Sequence, residues 1–345
     1  MPSTTDAIVN GARRNVSRVT ELPILVLNLH SHCNCRCLMC DIWKRETHQE
    51  FPAADLEPHR QSLRALGVKQ IVLTGGEPLL HSHLDALCAF FRAELIRITL
   101  LSTGLLLQKR AAEVCADFDE IIISLDGPAE IHDRVRRVKS AFELLRNGIS
   151  AVRAIRPSLR IAARCTVQKT NHTHLRATVA AAQSLGLDSL SFLAADLTSQ
   201  AFNRDLVWPL DRQQQIGLTA AEVLALDGEI EALIRECSSL IRNGYISESP
   251  EKLRRIVRHF RAHLGQVPFA SPLCNAPWVS AVIEVDGSVR PCFFHQPFAN
   301  LHSATLEDAV NSEQAQLFRE SLSVALDPIC QRCVCSLHRP SSSAV

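Results

Sequence analysis

Short apolar runs alternate with longer amphipathic segments over the first two-thirds of the chain. Runs that fit buried strands occupy residues 23–30, 70–75, 96–102, 120–126, 160–167 and 189–195. The stretches between them repeat apolar residues at the three- to four-residue spacing of helices with one buried face. Because six strands alternate with helices, we predict an α/β fold in which helices cover a parallel sheet. Chemistry in such folds collects at the carboxyl ends of the strands.

The last third of the chain departs from this rhythm. Residues 211–264 are charged and helix-like, and Asp286-Gly287 between alternating apolar and polar residues predicts a β-hairpin. An amphipathic helix is predicted for residues 306–323. We therefore divide the chain into an N-terminal extension (1–22), an α/β core (23–200), a helical segment (201–268), a small C-terminal domain (269–338) and a flexible tail (339–345).

Composition and charge limit the classes of protein to which the chain can belong. The chain has 345 residues, of which 46% are hydrophobic, and its 37 Lys and Arg against 36 Asp and Glu give a net charge of +1. This composition excludes an intrinsically disordered chain, and it lacks the basic excess of nucleic-acid-binding proteins. No run reaches the ~20 apolar residues of a membrane span, and the N-terminus lacks the apolar stretch of a signal peptide. We expect a cytoplasmic protein without nucleic-acid or membrane partners.

Cysteine is unusually frequent, with 13 residues in the chain. In a cytoplasmic protein, so many cysteines indicate metal ligands or redox groups rather than disulfides. Four lie close together after the first predicted strand, and five lie in the last quarter of the chain. The remaining four are predicted to be core residues, because buried free cysteine is common: Cys88, Cys115, Cys165 and Cys237.

The first cysteine group has the spacing Cys33-x3-Cys37-x2-Cys40 on one short loop. Three thiolates can hold three irons of a 4Fe-4S cubane, whose usual complement is four cysteines, so that one iron stays open for a small molecule. Zinc is the alternative, because close thiolates also suit it and Cys35 could complete a set of four. The spacing alone leaves both metals possible.

Two further motifs follow the cysteine loop. Residues 74–78 read Thr-Gly-Gly-Glu-Pro after the second predicted strand, and residues 124–128 read Ser-Leu-Asp-Gly-Pro after the fourth. In this order and at these strand ends, the three motifs resemble those of radical S-adenosylmethionine (SAM) enzymes over about residues 23–200. The resemblance implies a partial (β/α)6 TIM-type barrel, which agrees with the six strands predicted from the apolar pattern.

The resemblance also implies cofactors and roles. Cys33, Cys37 and Cys40 would act as the catalytic cysteines that hold a 4Fe-4S cluster, whose open iron chelates SAM. Cleavage of SAM by the reduced cluster would yield a 5′-deoxyadenosyl radical that abstracts hydrogen from the substrate. The protein would bind, orient and shield these cofactors.

The SAM-binding residues implied by the resemblance lie on the loops after the strands. Gly75 and Gly76 would let backbone groups approach the ligand closely, and Pro78 completes their motif. Glu77 would contact the SAM amino group, directly or through the conformation of its loop. Ser124 and Asp126 would face the SAM ribose or the substrate, although an Asp in such a turn can also be only a turn former.

Weaker candidates and departures complete this set. Gln168 and Asn171, after the fifth strand, are candidates for the same ribose region. Met39 stands where relatives often carry an aromatic residue near the adenine, and its sulfur can supply a polarizable contact to a ring. Residues 102–104 read Ser-Thr-Gly instead of the frequent Thr-Asn-Gly, which removes an Asn side chain.

The C-terminal cysteines follow the pattern Cys-x12-Gly-x4-Cys, then Cys-x2-Cys. This layout resembles the auxiliary-cluster extensions called SPASM and, when shortened, twitch domains. A full SPASM domain carries seven cysteines, so we predict one auxiliary 4Fe-4S cluster here, with a structural zinc site as the alternative. His295 and His338 are left out of the ligand set. The predicted ligands are Cys274, Cys292, Cys330 and Cys333, with Cys335 as an extra or substitute.

Three functions are compatible with these motifs. The first is oxidation or rearrangement of a small metabolite, in which a closed auxiliary cluster accepts the second electron. The second is modification of a ribosomally made peptide, for which recognition would need a partner protein or segment 201–268, because only about 22 residues precede the first strand. The third is an iron–sulfur carrier, which leaves the Gly-Gly-Glu-Pro motif unexplained. We predict the first, with a reducing partner such as flavodoxin or ferredoxin.

Overall fold

Six parallel strands form the centre of the fold in the computed structural model, which describes residues 17–201, 204 and 206–340. The strands are β1 (Ile24–His30), β2 (Gln70–Gly75), β3 (Arg97–Ser102), β4 (Glu120–Ser124), β5 (Arg160–Val167) and β6 (Ser189–Ala194). Each strand pairs in parallel with its sequence neighbour. The predicted α/β fold is confirmed, and every strand starts and ends within two residues of the predicted run.

Helices fill the connections between these strands. They are α1 (Arg60–Ala65), α2 (Leu84–Ala93), α3 (Ala111–Asp117), α4 (Ala129–Arg136), α5 (Ala141–Ile155) and α6 (Leu175–Ser184). Strand residues such as Leu27 and Ile71 are 0% exposed and belong to the main apolar core. Because side chains alternate along a strand, the intervening positions face the opposite side of the sheet, where Val26 and Val72 line a cavity.

Three C-terminal strands extend the same sheet. They are β7 (Ser280–Ile283), β8 (Ser288–Arg290) and β9 (Ala299–Asn300). Strand β7 lies parallel to β1, and β8 and β9 follow as antiparallel neighbours. The predicted hairpin is present, and Gly287 at its turn has a φ of +79°, a left-handed conformation that favours glycine. The C-terminal domain is thus continuous with the core sheet, and its boundary near residue 268 stays a prediction.

Further helices lie in the described part of the chain after β6. They are α7 (Leu210–Ile216), α8 (Ala220–Glu236), α9 (Ser238–Arg242), α10 (Pro250–His263), α11 (Ala276–Val279), α12 (Leu306–Val310), α13 (Glu313–Ser321) and α14 (Pro328–Arg332). The helical character predicted for segment 211–264 is confirmed. The single helix predicted for 306–323 is wrong, because Asn311 ends α12 and the Ser312 side chain caps the start of α13.

The two ends of the chain are described only in part. The backbone N–H of Val19 donates to the Asn311 side-chain oxygen at 2.8 Å, which ties the start of the described chain to the turn between α12 and α13. Residues 1–16 of the predicted N-terminal extension and residues 341–345 of the predicted tail lie outside the described residues. Within the described ranges, no helix has the length and apolar character that crossing a bilayer requires.

Candidate functional site

The first cysteine group lies on the loop that directly follows β1. The backbone N–H groups of Arg36 and Leu38 donate to the carbonyl oxygens of Arg136 and Val135, at 3.2 and 3.0 Å. Those carbonyls belong to the last turn of α4, where helix carbonyls have no partner within the helix. The end of α4 therefore fixes the course of the cysteine loop, and the loop satisfies the end of the helix.

The spacing of the sulfur atoms bears on which metal the loop could hold. Tetrahedral zinc, with Zn–S bonds of ~2.3 Å, needs its sulfur ligands about 3.8 Å apart. Among the described residues, only His295, Asp327 and Cys330 form a group of three metal-ligating side chains whose ligand atoms all lie within 4.8 Å of one another. No three of the loop cysteines form such a compact group, and this spacing is compatible with thiolates that bind different irons of one cluster.

Cys35 behaves differently from its three neighbours on the loop. Its side chain is 0% exposed and forms hydrogen bonds with the sulfur atoms of Cys33 and Cys37. These bonds and burial raise the pKa of Cys35, which favours the thiol, whose single S–H can donate to one of the two sulfur atoms at a time. The same bond is the main reason that the pKa of Cys37 falls to about 7, which favours the thiolate that iron needs. Cys35 therefore supports the loop through its contacts with Cys33 and Cys37.

The two motif glycines bring β2 against the cysteine loop. A Cβ atom on Gly76 would lie 1.9 Å from the His32 carbonyl oxygen, and one on Gly75 would lie 2.5 Å from that of His30. The backbone N–H of Gly76 donates to His30 at 2.7 Å, and that of Glu77 donates to His32 at 2.8 Å. The close approach expected at these glycines is therefore made to the protein backbone just before Cys33.

The Glu77 carboxylate, which is 0% exposed, is fully engaged by the protein. It accepts hydrogen bonds from the Ser102 hydroxyl at 2.8 Å, the Thr103 backbone N–H at 2.7 Å and the Leu79 backbone N–H at 3.0 Å. Of the two roles left open by the sequence, this geometry favours control of the loop conformation over direct contact with SAM. It also gives the unusual Ser-Thr-Gly sequence after β3 a role, since Ser102 and Thr103 anchor Glu77.

Ser124 and Asp126, expected to act together, have different surroundings. Ser124 is half-buried, and its hydroxyl has no hydrogen-bond partner among the described residues. Asp126 is 0% exposed; it forms an ion pair with Arg136 at 2.6 Å and accepts from the Thr166 backbone N–H at 3.1 Å. Ser124 is therefore available to a ligand, whereas Asp126 is held by protein partners.

The two weaker candidates after β5 differ in the same way. Asn171 donates to the Asp126 carbonyl oxygen at 3.0 Å and accepts from the Gln168 backbone N–H at 2.8 Å. The Gln168 side-chain oxygen is buried and has no partner among the described residues. A buried acceptor without a donor is costly, and a ligand hydroxyl such as that of a ribose would satisfy it. The residues at this end of the sheet therefore fit a SAM-like ligand.

Arg204 and Arg212 hold the cysteine loop, which the sequence did not indicate. Arg204 is buried, pairs with Asp196 at 2.6 Å and donates to the Met39 carbonyl oxygen at 3.5 Å. Arg212 donates to the Leu38 carbonyl oxygen. Met39 itself is half-buried and packs against the main apolar core. The partners are more than 160 residues apart in sequence, so no local pattern could have paired them.

The C-terminal cysteines lie around a second site. All five line one cavity of about 570 Å³ between the sheet and the C-terminal segments. Burial raises the pKa of Cys330 to about 12 and that of Cys335 to about 11, and neighbouring cysteines contribute to both shifts. Such clustering of thiols would be relieved by a metal centre that binds them as thiolates. The Arg255 guanidinium donates to the Cys333 carbonyl oxygen at 2.7 Å and brings positive charge to this group.

His295 belongs to this second site, although its sequence context did not indicate a ligand. Its Nε2 lies 3.4 Å from the Cys330 sulfur and 3.8 Å from an oxygen of Asp327. The ring is buried and packs against Phe318. The spacing Cys292-x2-His295 is the one sequence signal that could have identified it. His338, in contrast, is exposed.

A partial barrel with a cysteine loop at its strand ends and a second cysteine site beside its interior defines an iron–sulfur enzyme. Residues 27–189 match the model of the Radical SAM superfamily, and residues 274–334 match that of SPASM, an iron-sulfur cluster-binding domain. The chain is a radical SAM enzyme with a C-terminal SPASM domain. Its cofactors are a SAM-binding 4Fe-4S cluster, SAM and auxiliary iron–sulfur clusters. Membership of this enzyme family excludes the third function considered above, an iron–sulfur carrier without catalysis.

Individual relatives differ in what they act on. Pre-heme d1 synthase of Dinoroseobacter shibae is 30% identical over 179 residues, which cover 49% of this chain and 43% of that protein. The antilisterial bacteriocin subtilosin biosynthesis protein AlbA of Bacillus subtilis is 22% identical over 85% of this chain and 62% of that protein. The chain spans about half the length of the curated relatives that it matches first.

The solved structures agree on the fold. Streptococcus suis SuiB, determined with its precursor peptide SuiA, is 14% identical, with a TM-score of 0.64 that covers 98% of this chain and 77% of that one. The structure of anSMEcpe with bound AdoMet is 18% identical, with a TM-score of 0.64 over 90% of this chain and 86% of that one. At these identities the likeness describes the architecture alone.

Proposed function

We propose that this chain oxidises or rearranges a small metabolite, with Cys33, Cys37 and Cys40 as the ligands of the SAM-binding cluster. When bound, the reduced cluster and SAM supply a radical that removes a hydrogen atom from a substrate carbon. Cys274, Cys292, Cys330 and Cys333 would hold one auxiliary 4Fe-4S cluster, with Cys335 as an extra thiolate. The chain's own residues would orient the ligands and keep water away from the reacting carbon.

The cavity of about 570 Å³ carries this proposal. Its volume lies in the range of ~300–1,000 Å³ that small-molecule sites occupy. One wall is the inward face of the strands, with residues such as Val26 and Ile122, and the other contains the C-terminal cysteines. A metabolite in this space would lie beside the auxiliary site, where the second electron of an oxidation has a short path.

Arg164 supplies the cavity with a basic group. In the sheet it lies opposite Ser124, and its side chain lines the cavity. It contacts the Ser191 hydroxyl at 3.4 Å and has no carboxylate within ion-pair distance among the described residues. Its charge also acts on Glu248 and Cys335, which line the same cavity. A guanidinium that makes no direct ion pair can bind an acidic group of a ligand, and SAM itself carries a carboxylate. We therefore assign Arg164, with Ser124 and Gln168, to SAM binding.

Peptide modification is the second candidate, and one observation favours it: the match to AlbA covers 85% of this chain. Pre-heme d1 synthase and Fe-coproporphyrin III synthase, whose names indicate small-molecule chemistry, favour the first candidate. The two candidates predict different stimulants of SAM cleavage, since a cavity of about 570 Å³ can hold a metabolite but not a folded peptide.

Anaerobic turnover with the reconstituted enzyme, SAM and dithionite tests the proposal. A small-molecule extract should raise 5′-deoxyadenosine above the basal rate and lose a component by mass spectrometry, whereas a peptide fraction should not. Arg164→Gln should weaken SAM binding about 10- to 100-fold, the value of one charge-assisted hydrogen bond. Arg160→Gln is the matched control, because Arg160 already pairs with Glu120 at 2.8 Å. Stimulation by the peptide fraction alone would overturn the metabolite assignment.

A further inference from the structure

Arg136 is a buried guanidinium in contact with one of the loop cysteines. It is the last residue of α4 and is only 7% exposed. Its Nη1 group lies 3.4 Å from the Cys37 sulfur, within hydrogen-bond distance for a sulfur acceptor. Burying a guanidinium is expensive unless its donors and its charge are satisfied, so its position demands partners on more than one side.

Asp126 provides the opposite side of this contact. Both Nε and Nη2 of Arg136 lie 2.6 Å from the same Asp126 oxygen. The other oxygen of Asp126 accepts from the Thr166 backbone N–H at 3.1 Å, which fixes the carboxylate to the end of β5. Because two donors are fixed on Asp126, the guanidinium plane is set and Nη1 points to Cys37.

The other arginines that hold the loop contact it differently. Arg204 and Arg212 donate to backbone carbonyl oxygens, those of Met39 and Leu38. Arg136 alone, among the described arginines, makes a recorded hydrogen bond to a loop sulfur. Its role is therefore specific to the thiolate and is not only a further support of the loop.

We propose that Arg136, positioned by Asp126, donates a hydrogen bond to the Cys37 thiolate and raises the reduction potential of the cluster at this loop. Hydrogen bonds to cluster sulfurs and nearby positive charge both favour the reduced cluster, which carries one more negative charge. The inference rests on the proposed function in one respect, the assignment of Cys37 as a cluster ligand. Asp126 then acts on the cluster through Arg136, which explains a buried motif carboxylate that no ligand can reach.

The test is a spectroelectrochemical titration of the reconstituted protein without SAM, with the reduced fraction followed by electron paramagnetic resonance. Arg136→Gln removes the charge and should lower the reduced-to-oxidised ratio at a fixed potential about tenfold, equal to ~59 mV for a one-electron couple. Arg136→Lys keeps the charge but lacks the planar guanidinium that donates to both Asp126 and Cys37. Its reduced-to-oxidised ratio should therefore lie between those of wild type and Arg136→Gln. Asp126→Asn removes the ion pair that positions the guanidinium. The electron paramagnetic resonance signal of the cluster should then broaden, and its reduction potential should shift less than in Arg136→Gln.

Arg319→Gln is the matched control for loss of a buried guanidinium. Arg319 is 4% exposed and donates to the Ser17 and Val310 carbonyl oxygens. It should leave the potential unchanged even if it lowers stability. A wild-type potential in folded Arg136→Gln or Arg136→Lys protein with full iron would overturn the proposal. Absence of loop-bound iron in wild-type protein would instead show that the cluster assignment has failed.

Discussion

The two cysteine sites of this chain are built in opposite ways. The first places Cys33, Cys37 and Cys40 on one loop, which is held by the end of α4, the end of β2, Arg204 and Arg212. The second collects its cysteines from the loop before β7, the hairpin and the chain after α13, and all of them are half-buried. One site is local and anchored, and the other depends on tertiary contacts.

The difference follows from what holds each site. At the loop, hydrogen bonds from its own backbone fix the course of the chain that carries the cysteines. At the second site, the segments meet through contacts such as the Asn275 backbone N–H with the Leu337 carbonyl oxygen at 2.8 Å. A site assembled from distant segments gains more of its order from the metal itself, because metal binding and folding are coupled. The loop should therefore tolerate loss of the second site better than the reverse.

The largest effect is expected from the loss of a loop cysteine, which should abolish SAM cleavage and leave the second site intact. Cys37→Ala removes a loop ligand, so we expect no 5′-deoxyadenosine from reduced, reconstituted protein. The C-terminal iron should remain, at about four of the about eight irons that two 4Fe-4S clusters require. Iron analysis and chromatography of the products measure both. Continued SAM cleavage by this variant would contradict the assignment of the loop.

Loss of a cysteine at the second site should leave SAM cleavage intact. Cys292→Ala opens the second site, so 5′-deoxyadenosine should persist while oxidised product falls, because the second electron has no acceptor. Circular dichroism of the variant checks that β7 and β8 still fold. Normal product yield from a folded variant without this cluster would refute the electron-acceptor role and leave a structural one.

A glycine substitution tests whether packing rather than metal orders the loop. Gly76→Ala places its Cβ 1.9 Å from a backbone oxygen, so we expect a loss of about 3 kcal/mol or more in unfolding free energy. Gly228→Ala is the control, since Gly228 is exposed in α8 with open space around it and should gain about 0.5–1 kcal/mol. Denaturant unfolding of the metal-free proteins measures both. Equal unfolding free energies for wild type and Gly76→Ala would mean that the loop accommodates the added methyl group without loss of stability.

The smallest effect concerns the cavity beside the second site. Burial raises the pKa of Glu248 to about 7, against an ordinary value of 4.5. A raised carboxyl pKa stabilises the fold at low pH, and this contribution is lost as the pH rises from about 4.5 to about 7. Its size is at most ~3 kcal/mol before solvent screening reduces it. Glu248→Gln should flatten the fall of the melting temperature over this window, and an unchanged slope would show that Glu248 is ionised throughout.

The strands and the hairpin could be predicted because their signals are local. Short apolar runs identified all six core strands, and Asp286-Gly287 within an alternating stretch identified the turn. The pairing of β7 with β1 could not be predicted, since the two strands are far apart in sequence and no pattern in either specifies the other.

The candidate site could also be predicted only in part. The cysteines and motif residues stood out by spacing and order, but their contacts did not. Nothing in the sequence showed that the Glu77 carboxylate is enclosed by Ser102 and Thr103, or that Asp126 serves Arg136. His295 was missed because a single histidine near cysteines is common without any metal role.

Electron paramagnetic resonance of the reduced wild-type protein, recorded with and without SAM, tests the central claim most directly. The claim is that two separate clusters exist and that only the one at the cysteine loop binds SAM. Two 4Fe-4S signals should be present, and SAM should shift one of them and leave the other unchanged. A fully loaded protein in which SAM shifts neither signal, or both, would contradict this account.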